Sequence, residues 1–488
     1  MRRFFTYPII LILLISFIGS LVFGSLIKYH FEGGKKYQTL QKTAMFFGSI
    51  PGNIVMMIKH KTINLHKVLN KPPISTKHKD KKRFEQFIPN KRNALLMLAR
   101  YDNALNRSIV DIVDLNNFEL IHTYKHNISE MWKKVQNTQR FPKLKMNHGP
   151  IRFLYFHPII LNDGSLITDG NETPLFKIDI CSNLEWINDQ ELFHHSKMLD
   201  HEKNIWVTGT IKPRSKYIKK YQFDEFEDDA IIKINTDGEI LYKKSVMEIL
   251  IENNFLPSNF AINSYLLGET DPIHINDIEP TFSDTQYWKK GDVFLSIRNQ
   301  SAIIHYRPST NKVINYITGP FFHQHDVDII SDKEISIFNN NVYILETNHY
   351  EKIADSNLEY RSKSQEELLR RPDIINDGKV MDSNFSEVLI YNFETLQFRK
   401  LFKDQLQNDN FKAVSNGLSH TFNDGALMIE ETLHGRIILL NNKGEKEWEF
   451  INKDKNGDIG ILTWTRVIED ELFIQKFKSL IKNKKCTN

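Results

Sequence analysis

Hydrophobic and polar positions fall into three regimes along this chain. The first is Pro8 to Ile27, PIILILLISFIGSLVFGSLI, an uncharged apolar run preceded by Arg2 and Arg3. A run of about 20 residues spans a bilayer as a helix and exceeds the apolar region of most cleaved leaders. Ser20, Gly24 and Ser25 offer small residues but no small-x-small cleavage pattern. An N-terminal membrane anchor or signal segment over 1–29 is therefore expected, with an uncleaved anchor favoured over a cleaved signal. The second regime, 30–90, is basic and irregular. Tyr37 to His66 has helical character, while Pro72-Pro73 and Lys77 to Arg83 read as a linker. This segment is expected to be a solvated juxtamembrane stalk, each basic residue near anionic lipid contributing about 1 kcal/mol.

The third regime starts at Asn93. Short alternating runs rich in Ile, Leu, Val and Phe are broken by Asn, Asp and Gly, the pattern of strands joined by tight turns. Strands are expected at Ala94 to Tyr101, Ser108 to Leu115, Glu119 to Tyr124, Pro158 to Leu161, Ser165 to Thr168, Pro174 to Asp179 and Leu184 to Trp186. Others fall at Ala230 to Ile234, Glu239 to Tyr242, Gly435 to Leu440 and Glu445 to Phe450. The turns between them include Asn162-Asp163-Gly164, Asn235-Thr236-Asp237-Gly238 and Asn441-Asn442-Lys443-Gly444. Four strands per unit, recurring at roughly 40 to 50 residues, is the spacing of a β-propeller. An all-β domain over 91–470 with six blades is expected, with a polar insertion at Glu351 to Ser383 that holds a helix-like Ser364 to Arg371. A basic tail, 471–488, follows.

Charge changes the picture little. The chain has 64 Lys and Arg against 60 Asp and Glu, a net charge of +4, and much of the excess lies between Lys28 and Arg92. The domain itself is near neutral, so no nucleic-acid partner is expected. Arg2 and Arg3 on one flank of the apolar run face Lys28, Lys35, Lys36 and Lys42 on the other. This leans slightly against export by the positive-inside rule, but long domains cross regardless of such counts. The expected placement is a membrane anchor with an exported, periplasmic or extracytoplasmic domain. Cys181 and Cys486 are the two cysteines. They exclude a disulfide framework and a C-x-x-C site. One bridge between them is open in an oxidising compartment, and the sequence does not decide it.

Candidate chemistry lies in histidines at the starts of strands: His194-His195, His274, His323-Gln324-His325 and His420. A radial fold brings equivalent positions of each unit to one axis, so histidines distant in sequence meet in one pocket. His195 is preferred over His194 because its distance to the following strand matches that of His325.

Longer stretches carry a resemblance. They are His274 to Pro280, Gly291 to Ala302, Gly319-Pro320 through Gln324-His325-Asp326-Val327-Asp328, and Glu430-Glu431-Thr432 with Gly435-Arg436-Ile437. Over about 91–470 the chain resembles the arylsulfotransferases, exported six-bladed propellers that move sulfuryl groups between phenols without the nucleotide donor PAPS. The resemblance implies His325 as nucleophile carrying a sulfuryl-histidine intermediate and Arg298 as a clamp on sulfuryl oxygens. It gives His274 and His195 roles as donors or as proton exchangers. A sulfuryl group carries its charge on three oxygens and mainly needs positioning and charge stabilisation, and neutral imidazole is a competent nucleophile. Asn276, two residues beyond His274 on the same strand face, and His323, sharing parity with His325, are candidate substrate-binding residues. The expected partners are a small aryl sulfate donor and a hydroxyl acceptor, with neither cofactor nor metal.

Two readings of other classes stay open. Three histidines on an axis suit a zinc site with an open position, although Arg298 beside a cation is unfavourable. A non-catalytic binding propeller is the second, although such a scaffold has no reason to gather His and Arg at its centre.

Overall fold

The computed structural model describes residues 3–31, 36–37, 39–41, 43–44, 46–48, 72, 74–141, 149, 151–217, 227–255, 271–341, 385–484 and 486. The insertion Glu351 to Ser383 and its helix-like stretch lie outside these, as does most of Tyr37 to His66. The chain divides into two units, 1–71 and 72–488. In the first, a helix runs Arg3–Phe31, and its Leu11–Lys28 segment is long and apolar enough to cross a membrane, as an anchor or a signal sequence would.

The second unit is built of short strands. In chain order they are β1 (Phe84–Gln86), β2 (Leu95–Asp102), β3 (Arg107–Asp114), β4 (Glu119–Tyr124), β5 (Phe156–Ile160), β6 (Leu166–Asp169), β7 (Thr173–Ile178) and β8 (Leu184–Leu199). There follow β9 (Ile205–Thr210), β10 (Asp229–Ile234), β11 (Ile240–Ser245), β12 (Ile275–Pro280), β13 (Val293–Ile297), β14 (Ala302–Arg307), β15 (Lys312–Thr318) and β16 (Val327–Ser331). The last are β17 (Glu334–Asn339), β18 (Glu387–Asn392), β19 (Gln397–Leu401), β20 (Leu418–Thr421), β21 (Leu427–Glu431), β22 (Arg436–Leu440), β23 (Lys446–Ile451) and β24 (Arg466–Ile468).

The turns form as their residues dictate. Asn235 Oδ1 accepts from the backbone N–H of Asp237 (3.0 Å) and of Glu239 (2.9 Å), and Asn441 does the same for Lys443 and Glu445. Such side-chain caps add to the backbone turn bonds from Gly238 N–H to the Asn235 carbonyl (3.1 Å) and from Gly444 N–H to the Asn441 carbonyl (2.9 Å). Gly238 closes the first of these turns at φ +85°, and a Cβ there would stand 2.9 Å from the Trp186 ring.

The arrangement is all-β and propeller-like, but not six separate blades. Among the described residues there are five sheets. Three have four strands (β12 to β15, β16 to β19, and β24-β2-β3-β4), and one has five (β1-β23-β22-β21-β20). These four are blade-sized. The fifth is a seven-stranded sheet, β11-β10-β9-β8-β7-β6-β5. The cause is β8, expected to stop at Trp186 but running 16 residues in all, from Leu184 to Leu199. Its middle, Asn188-Asp189-Gln190-Glu191, is polar. Buried Glu191 finds partners within the sheet region, ion-pairing with Arg140 and with Lys243 (2.6 Å), so the strand runs on. It then shifts register between His194 and Lys197, pairing with β7 on one side and β9 on the other.

Buried apolar side chains pack between neighbouring sheets. Trp206 and Ile231 meet β12 to β14 residues such as Ile278, Leu295 and Ile304. Trp448 and Met428 meet Leu96 and Leu98 of β2. Fully burying side chains of this size contributes about 1.5–3 kcal/mol each. A repeated polar clamp adds direction. A buried carboxylate of one sheet accepts the backbone N–H that opens the next: Asp229 from Ile275 (2.8 Å), Asp277 from Val327 (2.8 Å), Asp326 from Ser419 (2.9 Å) and Glu430 from Thr465 (2.8 Å).

Both ends of the unit are woven in. β24 leaves the last sheet to pair with β2, and β1 pairs with β23. Strand β1 lies in the segment read from sequence as irregular, and the ion pairs Lys77–Glu431 and Lys81–Glu449 (2.6 Å) dock its neighbours. The basic tail contains a helix, Glu471–Asn483, whose Ile474 and Phe477 enter the core. Beyond it Cys486 is disulfide-bonded to Cys181, the pairing the sequence left undecided.

Candidate active site

The innermost strands open on residues held in the left-handed backbone region. His157 (φ +38°), His195 (+51°), His274 (+49°), His323 (+52°) and Trp464 (+66°) all adopt it. For side chains other than glycine this costs of order 1 kcal/mol each, and such strain concentrates at functional sites. Here it turns several rings toward one another. The His195 and His274 rings lie 5.2 Å apart. Trp464 is fully buried between them and His325, its ring 6.4 Å from His195 and 6.2 Å from His325.

His325 is buried, and both ring nitrogens are engaged. Nδ1 faces Asn340 Oδ1 at 2.6 Å and the His323 carbonyl at 3.1 Å, while Nε2 accepts from the Asn416 N–H at 3.0 Å. Two acceptors at Nδ1 and a donor at Nε2 define the tautomer with the proton on Nδ1. Asn340 is itself fixed, its Nδ2 donating to the carbonyls of Ala413 (2.8 Å) and Asn416 (2.5 Å). Burial, then the nearby charge of Arg298, pushes the His325 pKa well below the usual imidazole range. The ring is therefore neutral near pH 7.

Arg298 follows β13, and its backbone N–H donates to the His274 carbonyl at 3.0 Å. Its guanidinium donates from Nη1 to Asn299 Oδ1 at 2.7 Å. His274 is backed by Asp271, whose Oδ2 bonds its Nδ1 while Oδ1 accepts its backbone N–H at 2.9 Å. Burial works to raise Asp271, but His274 holds it below the usual carboxylate range. His195 is backed by a relay: its Nδ1 lies 2.8 Å from His194 Nδ1, and His194 Nε2 lies 3.3 Å from Asp229. Burial lowers the His194 pKa, yet bonding to Asp229 leaves it raised overall. Burial and His194 push His195 well below its usual value. A proton on His194 Nδ1, donated to His195 Nδ1, leaves His195 with its own proton on Nε2.

Four of the residues chosen from sequence, His195, His274, Arg298 and His325, thus come together. The other two sit differently. Asn276 is fully buried, and its Nδ2 donates to the Gln324 carbonyl at 2.9 Å, bracing the next sheet's entry loop, while its Oδ1 has no hydrogen-bond partner. His323 contributes its carbonyl to His325. His194, passed over in favour of His195, stands behind it as the second member of the pair. Three residues escaped sequence reasoning. Asp271, three residues before His274, had a local signal as a carboxylate–histidine pair. Asn340, 15 residues beyond His325, and Trp464 gave no pattern.

A second cavity, of about 250 Å³, lies where strands of all five sheets meet. Its walls hold Asp277, Glu279, Asp326, Asp328 and Arg466. Burial, then mutual repulsion, raises Glu279 and Asp326 well above the carboxylate range. Burial also pushes Asp277 up to about 7.

Residues 157–453 match the family model of the arylsulfotransferases (ASST). No curated protein matches the chain in sequence. Among solved structures, a protein of unknown function from Bacteroides caccae is 10% identical at a TM-score of 0.43, covering 78% of this chain and 100% of its own. Virginiamycin B lyase from Staphylococcus aureus is 11% identical at 0.32, covering 60% and 69%. Hydrazine synthase from Kuenenia stuttgartiensis is 10% identical at 0.36, covering 69% and 71%. Likeness at that level carries no functional argument. The family match spans His195, His274, Arg298 and His325 together and covers more than half of the sequence, and on that ground the chain belongs to the arylsulfotransferase family.

Proposed function

We propose that this sulfotransferase moves a sulfuryl group from an aryl sulfate to a phenolic or other hydroxyl acceptor through a sulfuryl-His325 intermediate, without PAPS or a metal. The observation that carries this reading is the state of His325. It is neutral, oriented through Nδ1 by Asn340, and has its lone pair on Nε2. The Nε2 lone pair attacks sulfur, the S–O bond to the aryl group breaks, and the aryloxide leaves with a proton from His274, while neutral His195 donates a hydrogen bond from Nε2. In the second half, the acceptor hydroxyl gives its proton to His274 and attacks sulfur. The N–S bond breaks and His325 returns. Attack requires the Asn416 N–H to release Nε2, after which it lies beside the new N–S bond and donates to a sulfuryl oxygen. Arg298 neutralises charge on those oxygens through its planar donors. Backed by Asp271, His274 exchanges the proton.

The test is ping-pong kinetics with a chromogenic aryl sulfate and a phenol, and mass spectrometry of enzyme mixed with donor alone. The reading expects the mass gain of one sulfuryl group on the peptide holding His325, and no turnover from His325→Ala. Near-normal turnover by that variant, or an adduct elsewhere, sinks it.

The same reading places the domain outside the cytoplasm. The Cys181–Cys486 disulfide supports this, because such bridges persist in oxidising compartments. Labelling intact cells with a membrane-impermeant lysine reagent checks it. Surface lysines such as Lys443 react if the domain is exported and stay unlabelled if it faces the cytoplasm.

A further inference from the structure

The central acidic cavity shares no lining residue with the group His195, His274, Arg298 and His325. Four carboxylates line it: Asp277, Glu279, Asp326 and Asp328. Two of them have structural duties, Asp277 accepting the Val327 N–H and Asp326 that of Ser419. Glu279 is 8% exposed, and its Oε2 has no hydrogen-bond partner. The hydroxyl oxygens of Ser419 and Thr421, on the same cavity, are also buried without partners. Ser419 is 2% exposed. Buried polar atoms in native proteins are normally satisfied, so three orphan oxygens on one cavity ask for a donor.

The protein's own cations do not supply it. Arg466 stands on the cavity wall but directs its guanidinium to the Pro158 and Lys197 carbonyls, to Met198 and to His157. His420 is turned to Glu469 at 3.2 Å. One guanidinium faces four carboxylates, too little positive charge to keep them all ionised, and a bound cation would let the raised ones lose their protons. A bare metal ion fits poorly, because among the described residues no three His, Cys, Asp or Glu side chains are grouped so as to hold one. Met198, Ile330 and Leu418 make part of the wall apolar. An apolar wall facing carboxylates and orphan acceptors suits a cation that carries carbon. An ammonium group offers three donors, one for each orphan oxygen. At about 250 Å³ the cavity lies just below the usual range of ligand sites, so the guest is small.

We infer that this cavity is a binding site for a small organic ammonium ion, separate from the histidine cluster. The ammonium lies among Glu279, Asp328, Ser419 and Thr421, and its alkyl part lies against Met198 and Leu418.

Calorimetric titration of the full-length protein in detergent with butylammonium chloride tests this, with butan-1-ol, calcium chloride and potassium chloride as parallel arms. One saturable butylammonium site, with none for butan-1-ol, is expected. The double variant Glu279→Gln with Asp328→Asn removes two charges but neither structural clamp, and should weaken binding about tenfold or more. Thr421→Val keeps every charge and should weaken it by a smaller factor, which preserves the test if the double variant fails to fold. Absent butylammonium binding, binding unaltered in these variants, or a calcium site in place of an ammonium site would each overturn the inference. None of these readings involves sulfuryl transfer, so the inference stands or falls apart from the proposed activity.

Discussion

His325 shows how much of a residue's chemistry is set by its neighbours. Burial and Arg298 keep it neutral, and Asn340 decides which nitrogen holds the lone pair. Two changes should therefore move activity in separable ways. Arg298→Ala should slow transfer about 10²- to 10³-fold, the scale for losing one transition-state donor. It also removes a charge that depresses the His325 pKa. The wild-type acid limb of kcat/KM should fall below the ordinary imidazole value near 6.5, and in Arg298→Ala it should move up toward that value. Asn340→Asp puts a carboxylate at Nδ1, which favours imidazolium and should also raise the limb. Asn340→Ala should cost about tenfold, the scale of one hydrogen bond, without comparable movement of the limb. A pH–rate profile on each variant checks all three. At this scale the sequence was informative for side chains near a strand start, where equivalent position implies a shared axis. It was mute on Asn340, which the pairing of β16 with β17 brings beside His325, and on Trp464, which arrives from far along the chain.

At the scale of elements, period-two alternation and Asn- or Asp-Gly turns made the strands readable, because those signals act within a few residues. Strand β8 defeated the same reasoning. Its polar middle is stable as strand because Arg140 and Lys243, 51 and 52 residues from Glu191, satisfy that carboxylate. No local pattern announces such a partner, so the joining of two expected units into one sheet was not legible. The disulfide was also invisible, since 305 residues separate its cysteines and two thiols allow either state. It ties the tail beyond the helix Glu471–Asn483 to the loop before β8. Cys181→Ser should free that helix and destabilise the fold by about 2–4 kcal/mol. Limited trypsin digestion should then cut at Lys476 and Lys478 earlier than in the wild type, while strand regions stay resistant.

For the whole molecule, the central cavity sets a pH dependence. Its buried carboxylates have pKa values raised above their unfolded ones, so their ionisation opposes folding. Their effect is absent below about pH 4, grows as pH rises, and is near complete for Asp277 above about 7. The buried neutral histidines His157, His195 and His325 act in the opposite sense, losing stability as pH falls through the normal histidine range. A comparison between proteins isolates the acidic part. Glu279→Gln should melt higher than the wild type at pH 8, with the gap narrowing toward pH 5; a gap of the reverse sign would show that Glu279 is stabilised in place.

The interlaced ends have a further consequence, one of timing. β2 waits for β24, and β1 for β23, so neither the first nor the last sheet is complete until the end of the chain emerges. Trp464, which buttresses His195 and His325, is among the last core residues to be made. Catalytic competence is thus a property of the finished polypeptide alone, and a chain cut short before residue 464 carries every candidate histidine yet cannot assemble the pocket around them.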